Sequence, residues 1–216
     1  MTNNSHTPPF PPALEDDELR ALSEHGLVRT YPRHAIIIQE GDRTDSLYII
    51  LRGKVKVFVS DADGKEIVLA VQGPGEYFGE MVLDEGPRSA SVMTLEPSRF
   101  VIVQKNELKQ FLAHNPDFAL HLIQKLIRRV RTLTENVRSL ALMDVYGRVA
   151  RLLLELATER DGLHVITEKL TQQDIASRIG ASREMVSRIL KDLVGGGYIT
   201  VEHKLITLHK QLPPRW

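Results

Sequence analysis

The sequence predicts an α+β fold: an N-terminal β-roll of the jelly-roll kind, a long helix, and a C-terminal winged helix-turn-helix. Three patterns predict it. From about residue 27 to 103 the chain breaks into short runs rich in Val, Ile, Tyr and Phe, punctuated by glycines at 41, 53, 64, 73, 75, 79 and 86. Many short strands with frequent turns argue for a closed antiparallel barrel or jelly roll. From 116 to 142 apolar residues recur at helical spacing. From 171 to 194 a small residue, a glycine and two apolar residues take the offsets that a pair of short packed helices demands.

Length and composition bound the rest. At roughly 100–200 residues per domain, 216 residues make one large or two small domains. The 28 basic and 28 acidic side chains cancel, so whole-chain charge names no partner. The balance is uneven along the chain: residues 1–135 carry 16 Lys and Arg against 19 Asp and Glu, and residues 136–216 carry 12 against 9. The C-terminal part is the basic one. The absence of cysteine excludes disulfides, thiolate zinc sites, cysteine-ligated iron–sulfur clusters and a cysteine nucleophile. No apolar stretch approaches the roughly 20 residues of a membrane-spanning helix. The polar, proline-rich start lacks the basic and apolar regions of a signal peptide. A cytoplasmic protein with a loose tail over 1–12 and no membrane partner is expected.

In chain order, 13–25 reads as a short acidic surface helix with Leu14, Leu19 and Leu22 on one side, closed by Gly26. Strands are expected at 35–39, 46–51, 54–60, 66–72, 89–95 and 99–104. The third and fourth are joined by a hairpin turn at Asp61-Ala62-Asp63-Gly64. A short helix at 105–114 breaks at Asn115-Pro116, and a long one runs over 116–142. Within it Ile123, Leu126, Val130, Leu133, Val137 and Leu140 are spaced 3, 4, 3, 4, 3, a heptad seam flanked by charged residues. Either two copies pair along that seam or one helix lies on its own barrel. The seam outlasts what a small barrel needs, which favours self-association. Asp144 can cap a further helix over 145–158, ending at Asp161-Gly162.

The C-terminal spacing carries chemistry. Thr171 caps a helix through Ile179, Gly180-Ala181 turns the chain, and Ser182 caps a second helix to about Val194. Ala176 sits where the helices touch, and Val186 and Ile189 hold the second helix. A two-stranded wing follows at 198–201 and 205–208. Many helix pairs share this pattern, but here Arg183, Glu184, Arg188 and Lys191 occupy the exposed face of the second helix. Arginine bonds guanine O6 and N7, and a carboxylate accepts from cytosine N4, so that face suits base reading. Thr171, Gln173 and Ser182 are expected to hold phosphates. In the first domain Gly79-Glu80-Met81 and the later Arg88-Ser89-Ala90 combine a glycine-rich turn, a short helix, an arginine and a hydroxyl. These can cradle a phosphate, with Glu80 accepting from a ribose hydroxyl. The plainer alternative is a Glu–Arg ion pair on a surface turn.

Gly53 and its flanking strands, Phe78-Gly79-Glu80, Pro87-Arg88-Ser89-Ala90, the run Leu142-Met143-Asp144-Val145-Tyr146-Gly147-Arg148 and the run Ser182-Arg183-Glu184-Met185-Val186-Ser187-Arg188 stand in this order. Through them the chain resembles the cyclic-AMP receptor protein and fumarate-nitrate regulator family of bacterial transcription factors, over about residues 15–210. The resemblance implies a cyclic nucleotide-binding β-roll over 13–115, a dimerisation helix over 116–142 and a winged helix-turn-helix DNA-binding domain over 143–216. It implies a homodimer on a two-fold symmetric double-stranded DNA operator, a half-site like TGTGA read by Arg183, Glu184 and Arg188, and RNA polymerase as a partner. It places Glu80 on ribose, Arg88 and Ser89 on the cyclic phosphate, and Leu133-Thr134 where members that bind cyclic AMP contact the base. Two features depart from the enterobacterial members: the loop between Glu80 and Arg88 is shorter, and the base-contacting Thr-Ser pair is Leu133-Thr134 here.

The expected effector is cyclic AMP, with no resident cofactor. Cyclic di-GMP is the alternative, its second phosphate needing further arginines such as Arg128 and Arg129; a ligand-independent regulator is a third reading. An enzyme would need metal-ligand clusters or an activated nucleophile, and neither is evident in the sequence. His114, Asp117 and His121 are expected to be a solvated helix face, not a metal site.

Overall fold

The computed structural model describes residues 17–160 and 162–213. The tail expected over 1–12, the first residues of the first predicted helix and Asp161 lie outside the described residues. Contacts divide the described chain into two compact units, one of residues 17–59 and 69–126, the other of 60–68 and 127–213 without 161.

Among the described residues the chain begins with α1 (Asp17–Ser23), followed by β1 (Leu27–Tyr31), β2 (Ile36–Ile38), β3 (Ser46–Arg52), β4 (Val55–Ser60), β5 (Glu66–Gln72) and β6 (Tyr77–Phe78). After a single 3-10 turn at Glu80–Leu83 come β7 (Ser91–Thr94), β8 (Ser98–Gln104), α2 (Lys105–His114) and the start of α3 (Pro116–Leu142). The strands form two four-stranded sheets, ordered β1-β8-β3-β6 and β2-β7-β4-β5. The period-two geometry of β3 sends its alternate side chains into two different cores. Leu47, Ile49 and Leu51 enter a core with Leu22, Leu108, Phe111, Phe118 and Leu122 of the helices. Tyr48 and Ile50 point the other way, into a core with Val55, Val57, Phe78, Val92 and Phe100. Phe78 stacks on Tyr48 at 5.0 Å and meets Phe100 edge-on at 5.4 Å. Burying each such side chain contributes about 1.5–3 kcal/mol. Phe78 thereby anchors the residues that follow it.

The predicted turn at 61–64 forms: Asp61 N–H bonds the Lys65 carbonyl at 3.1 Å, and Asp61 Oδ1 accepts from the Asp63 and Lys65 amides. Three N-terminal expectations change. The strand expected at 89–95 is only Ser91–Thr94, because the Arg88 amide and carbonyl bond Asp42 and Gly41 in a loop instead of joining the ladder. β1 was not among the expected strands; four of its five residues are exposed and it is held by pairing with β8. β6, two residues long and paired with β3, gives no periodic signal.

The C-terminal unit holds the rest of α3, then α4 (Val145–Leu156), β9 (Thr158–Arg160), β10 (Leu163–Ile166), α5 (Gln172–Ile179), α6 (Arg183–Gly195), β11 (Ile199–Glu202) and β12 (Leu205–Leu208). Asp144 caps α4 as predicted, its carboxylate accepting from the Gly147 amide at 2.7 Å. The helix expected over 145–158 stops at Leu156, since Ala157 is extended and Thr158–Arg160 is a strand. The expected two-stranded wing is accordingly part of a four-stranded sheet, β11-β12-β10-β9. Ile206 and Leu208 of the wing need apolar partners, and Ile166 of β10 pairs with Ile206 inside the same core. That core continues through Val149, Leu153, Ile175, Ala176, Val186 and Leu193.

Candidate ligand cradle and nucleic-acid interface

In the N-terminal unit the residues singled out by sequence converge on one guanidinium. Arg88 is 5% exposed. Its Nε donates to Thr44 Oγ1 at 2.8 Å, Nη1 to the Gly79 carbonyl at 2.7 Å and Nη2 to the Ser46 carbonyl at 2.6 Å. Burial lowers its pKa from the ordinary guanidinium range, opposed by Tyr48 and by the Glu80 and Asp45 carboxylates. Burial likewise raises the pKa of the Tyr48 phenol, whose lost hydration outweighs the nearby arginines. Gly79 sits at φ 85. A Cβ there would lie 2.9 Å from the Ser46 carbonyl oxygen and 3.3 Å from Arg88 Nη1, so glycine alone suits both the dihedral and the closeness of the guanidinium.

Gly79 hands the chain into the short turn that the sequence anticipated, Glu80–Leu83, with the Val82 amide bonding the Gly79 carbonyl at 3.0 Å. Glu80 is buried, Met81 is 40% exposed, Ser89 is exposed and Ala90 is buried. The structure thus brings Gly79, Glu80 and Arg88 into one cradle, with Ser89 next to Arg88 at the surface. Thr44 and the Ser46 carbonyl belong to it too and were not singled out from sequence. They lie 44 and 42 residues from Arg88, and no local pattern marks them. Leu133 and Thr134 belong to the C-terminal unit: Leu133 is partly exposed, and Thr134 donates its hydroxyl to the Val130 carbonyl at 2.9 Å.

Two caps set the geometry of the helix pair in the C-terminal unit. Thr171 and Asp174 form a capping box: Thr171 Oγ1 accepts from the Asp174 amide at 3.1 Å, and the Thr171 amide donates to Asp174 Oδ2 at 2.8 Å. The Thr171 hydroxyl proton also goes to Asp174 Oδ2, at 2.6 Å. Gly180, at φ 65, ends α5, and the Ala181 amide returns to the Ala176 carbonyl at 3.0 Å. Ser182 Oγ accepts from the Met185 amide at 3.2 Å, which leaves its own proton to donate outward. Gln173 is exposed, with its amide 3.2 Å from Ser177 Oγ.

With Ala176 and Val186 buried between the helices, α6 presents its opposite face. Arg183, Glu184, Arg188 and Lys191 are all exposed on it. Together with Gln172 and Ser187 they line one shallow groove of about 390 Å³. Gln172, the first residue of α5, is a further polar group there that sequence reasoning missed, since a half-buried glutamine on an amphipathic helix carries no distinguishing signal. Arg183, the first residue of α6, and the cations Arg188 and Lys191 share that groove, an arrangement that favours anions.

The seam of α3 is apolar and uncovered. Ile123, Leu126, Val130, Leu133, Val137 and Leu140 are all partly or largely exposed, Val130 by 62% and Val137 by 65%. Phe118 and Leu122, on the same helix, are instead buried in the N-terminal unit's core.

The chain is similar to known proteins. Residues 28–115 match the cyclic nucleotide-binding domain family, and residues 147–211 match the Crp-like helix-turn-helix domain family. The chain is 36% identical over 200 residues to the CRP-like cAMP-activated global transcriptional regulator of Mycobacterium tuberculosis, covering 90% of this chain and 89% of that one. It is 35% identical over 211 residues to the cAMP-activated global transcriptional regulator CRP of Pasteurella multocida, covering 94% and 97%. Among solved structures it resembles the c-di-GMP responsive global regulator CLP of Xanthomonas campestris, with a TM-score of 0.79 at 26% identity over 90% of this chain and 99% of that one. It also resembles the catabolite activator protein of Thermus thermophilus, with a TM-score of 0.54 at 31% identity over 94% of both chains.

Proposed function

We propose, for a chain that belongs to the CRP/FNR family of cyclic nucleotide-responsive transcription regulators, that it acts as a cytoplasmic homodimer on a palindromic DNA operator under the control of cyclic AMP. The observation that carries the ligand half is the buried Arg88. Three of its five N–H groups are spent on protein acceptors, leaving one on each terminal nitrogen for an incoming oxyanion. A buried guanidinium held in this way suits a single cyclic phosphate, with Ser89 adding a hydroxyl and Glu80 accepting from ribose. Gly79, Met81 and Ala90 complete the cradle, and the family resemblance assigns base contact to Leu133 and Thr134, of which Thr134 is the one able to hydrogen-bond.

In this reading 13–115 is the ligand domain, 116–142 the dimerisation helix and 143–216 the DNA-binding domain. Arg183, Glu184 and Arg188 read base edges in the major groove, and Lys191 adds cationic charge at the interface. Ser182 and Gln173 hold phosphates. Thr171 contributes by capping α5, because its hydroxyl proton is already donated to Asp174. RNA polymerase is the partner expected of a regulator of this family, and no catalysis is assigned to the chain.

A second reading has two observations behind it. Leu133 offers no hydrogen bond to a base, and a structural neighbour, CLP, is described as c-di-GMP responsive. Cyclic di-GMP would need more than Arg88 for its two phosphates, and this reading calls on basic residues elsewhere, such as Arg128 and Arg129 of α3. Calorimetric titration of the purified protein with cyclic AMP, cyclic GMP and cyclic di-GMP decides. Binding of cyclic AMP that is lost in Arg88→Leu is the expected result. Tight cyclic di-GMP binding, with no heat from cyclic AMP at millimolar concentration, reverses the choice.

A further inference from the structure

We propose that Thr44 is a positioning residue for the nucleotide phosphate, acting through Arg88; the inference rests on the reading of Arg88 as the phosphate ligand. The three acceptors around the guanidinium are unequal. The Gly79 and Ser46 carbonyls hold the two terminal nitrogens at 2.7 and 2.6 Å, and two points define only an axis. The group can still pivot about that axis. The third bond, from Nε to Thr44 Oγ1 at 2.8 Å, fixes the plane and with it the directions of the two remaining N–H groups.

Thr44 is also the one side chain among the three acceptors, so it is the part of the cradle that sequence can tune. It stands on the loop between β2 and β3, and that loop is tied to Arg88 by main-chain bonds. The Arg88 amide donates to the Asp42 carbonyl at 2.8 Å, and the Gly41 amide donates to the Arg88 carbonyl at 2.8 Å. The loop that carries the hydroxyl is therefore tied to Arg88 by backbone. Asp45, the next residue, adds negative charge that favours the charged guanidinium. Thr44 itself is exposed, so valine or serine there leaves both hydrophobic cores intact.

Valine matches threonine in shape and removes the acceptor. Thr44→Val is expected to weaken cyclic AMP binding by roughly tenfold, the size of one hydrogen bond to a charged group. A second readout separates aim from general damage. The two diastereomeric cyclic AMP phosphorothioates differ in which exocyclic phosphate oxygen is sulfur. A guanidinium fixed in one plane distinguishes them, and one free to pivot does so less. The full-length wild-type protein should bind the two with different affinities, Thr44→Val should bring them together, and Thr44→Ser should restore both the affinity and the difference. In the ligand-free protein the Arg88 Nε–H resonance should be slow to exchange with water in wild type and Thr44→Ser, and fast in Thr44→Val.

Thr44→Val with wild-type affinity, or with weakened affinity and an unchanged diastereomer ratio, overturns the positioning role. If Arg88→Leu binds cyclic AMP as wild type does, or wild type binds none, the reading of Arg88 fails and this inference with it. The Nε–H resonance then still reports whether the Thr44 bond exists, so the two failures are told apart.

Discussion

Arg148 on α4 donates its Nε–H to the carbonyl of Ile179, the last residue of α5, at 2.9 Å. Its Nη1 donates to the Met143 carbonyl at 2.8 Å. One side chain therefore satisfies an end-of-helix carbonyl just before the Gly180 turn and another beside the end of α3. Bonds from a charged donor to carbonyls contribute more than neutral ones.

Arg148→Met keeps the aliphatic stem and removes both bonds. It is expected to destabilise the C-terminal unit by about 2–4 kcal/mol, from two charge-assisted bonds discounted for partial exposure. Urea denaturation monitored by circular dichroism measures it. A loss under about 0.5 kcal/mol would mean that water replaces both bonds at no cost.

The apolar seam on α3 is expected to be covered by a second copy. Two helices can bury each other's Val130 and Val137, which are among the most exposed apolar side chains of the helix. Val130→Asp with Val137→Asp places two charges in that interface, and the double variant should sediment as a monomer. A variant that sediments as a dimer assigns self-association to another surface.

Base reading by the exposed face of α6 predicts a loss of preference as well as of affinity. Arg188→Ala is expected to cost about 1–3 kcal/mol on a specific operator and much less on random DNA. Footprinting across operator variants tests this. Equal loss on specific and random sequence would assign Arg188 to phosphate contact.

Ligand control is expected to pass along α3 into the segment at 138–146. A nucleotide shifts a conformational equilibrium only through its differential affinity for the two states. Lys125 of α3 sits 3.3 Å over the Tyr77 ring, two residues before Gly79, which links the helix to the cradle strand within the N-terminal unit. At the other end Met143 bonds back to the Ser139 carbonyl at 3.0 Å, and Asp144 begins α4. Amide hydrogen exchange over 138–146 should slow or quicken on saturation with cyclic AMP. Identical exchange with and without nucleotide rules this route out.

Much of the fold was legible in the sequence because its signals are local. The α3 seam follows from a spacing of three and four, and the caps at Asp144, Thr171 and Ser182 need only a short polar side chain ahead of a helix. The turn at 61–64 follows from an aspartate that accepts amides two and four residues on. Glu80, Arg88 and the α6 face were legible for a second reason, their type and order matching a family pattern. Long-range pairing decided the rest. β1 is a strand because β8 lies beside it, although its own residues are mostly exposed. Residues 158–160 leave the helical pattern because β10 pairs with β9 on one side and with the wing on the other. Sequence alone named Arg88. Only the tertiary structure brought Thr44 and Ser46 to it, because a hydrogen bond between residues more than 40 positions apart depends on where two loops meet and leaves no periodicity in the chain.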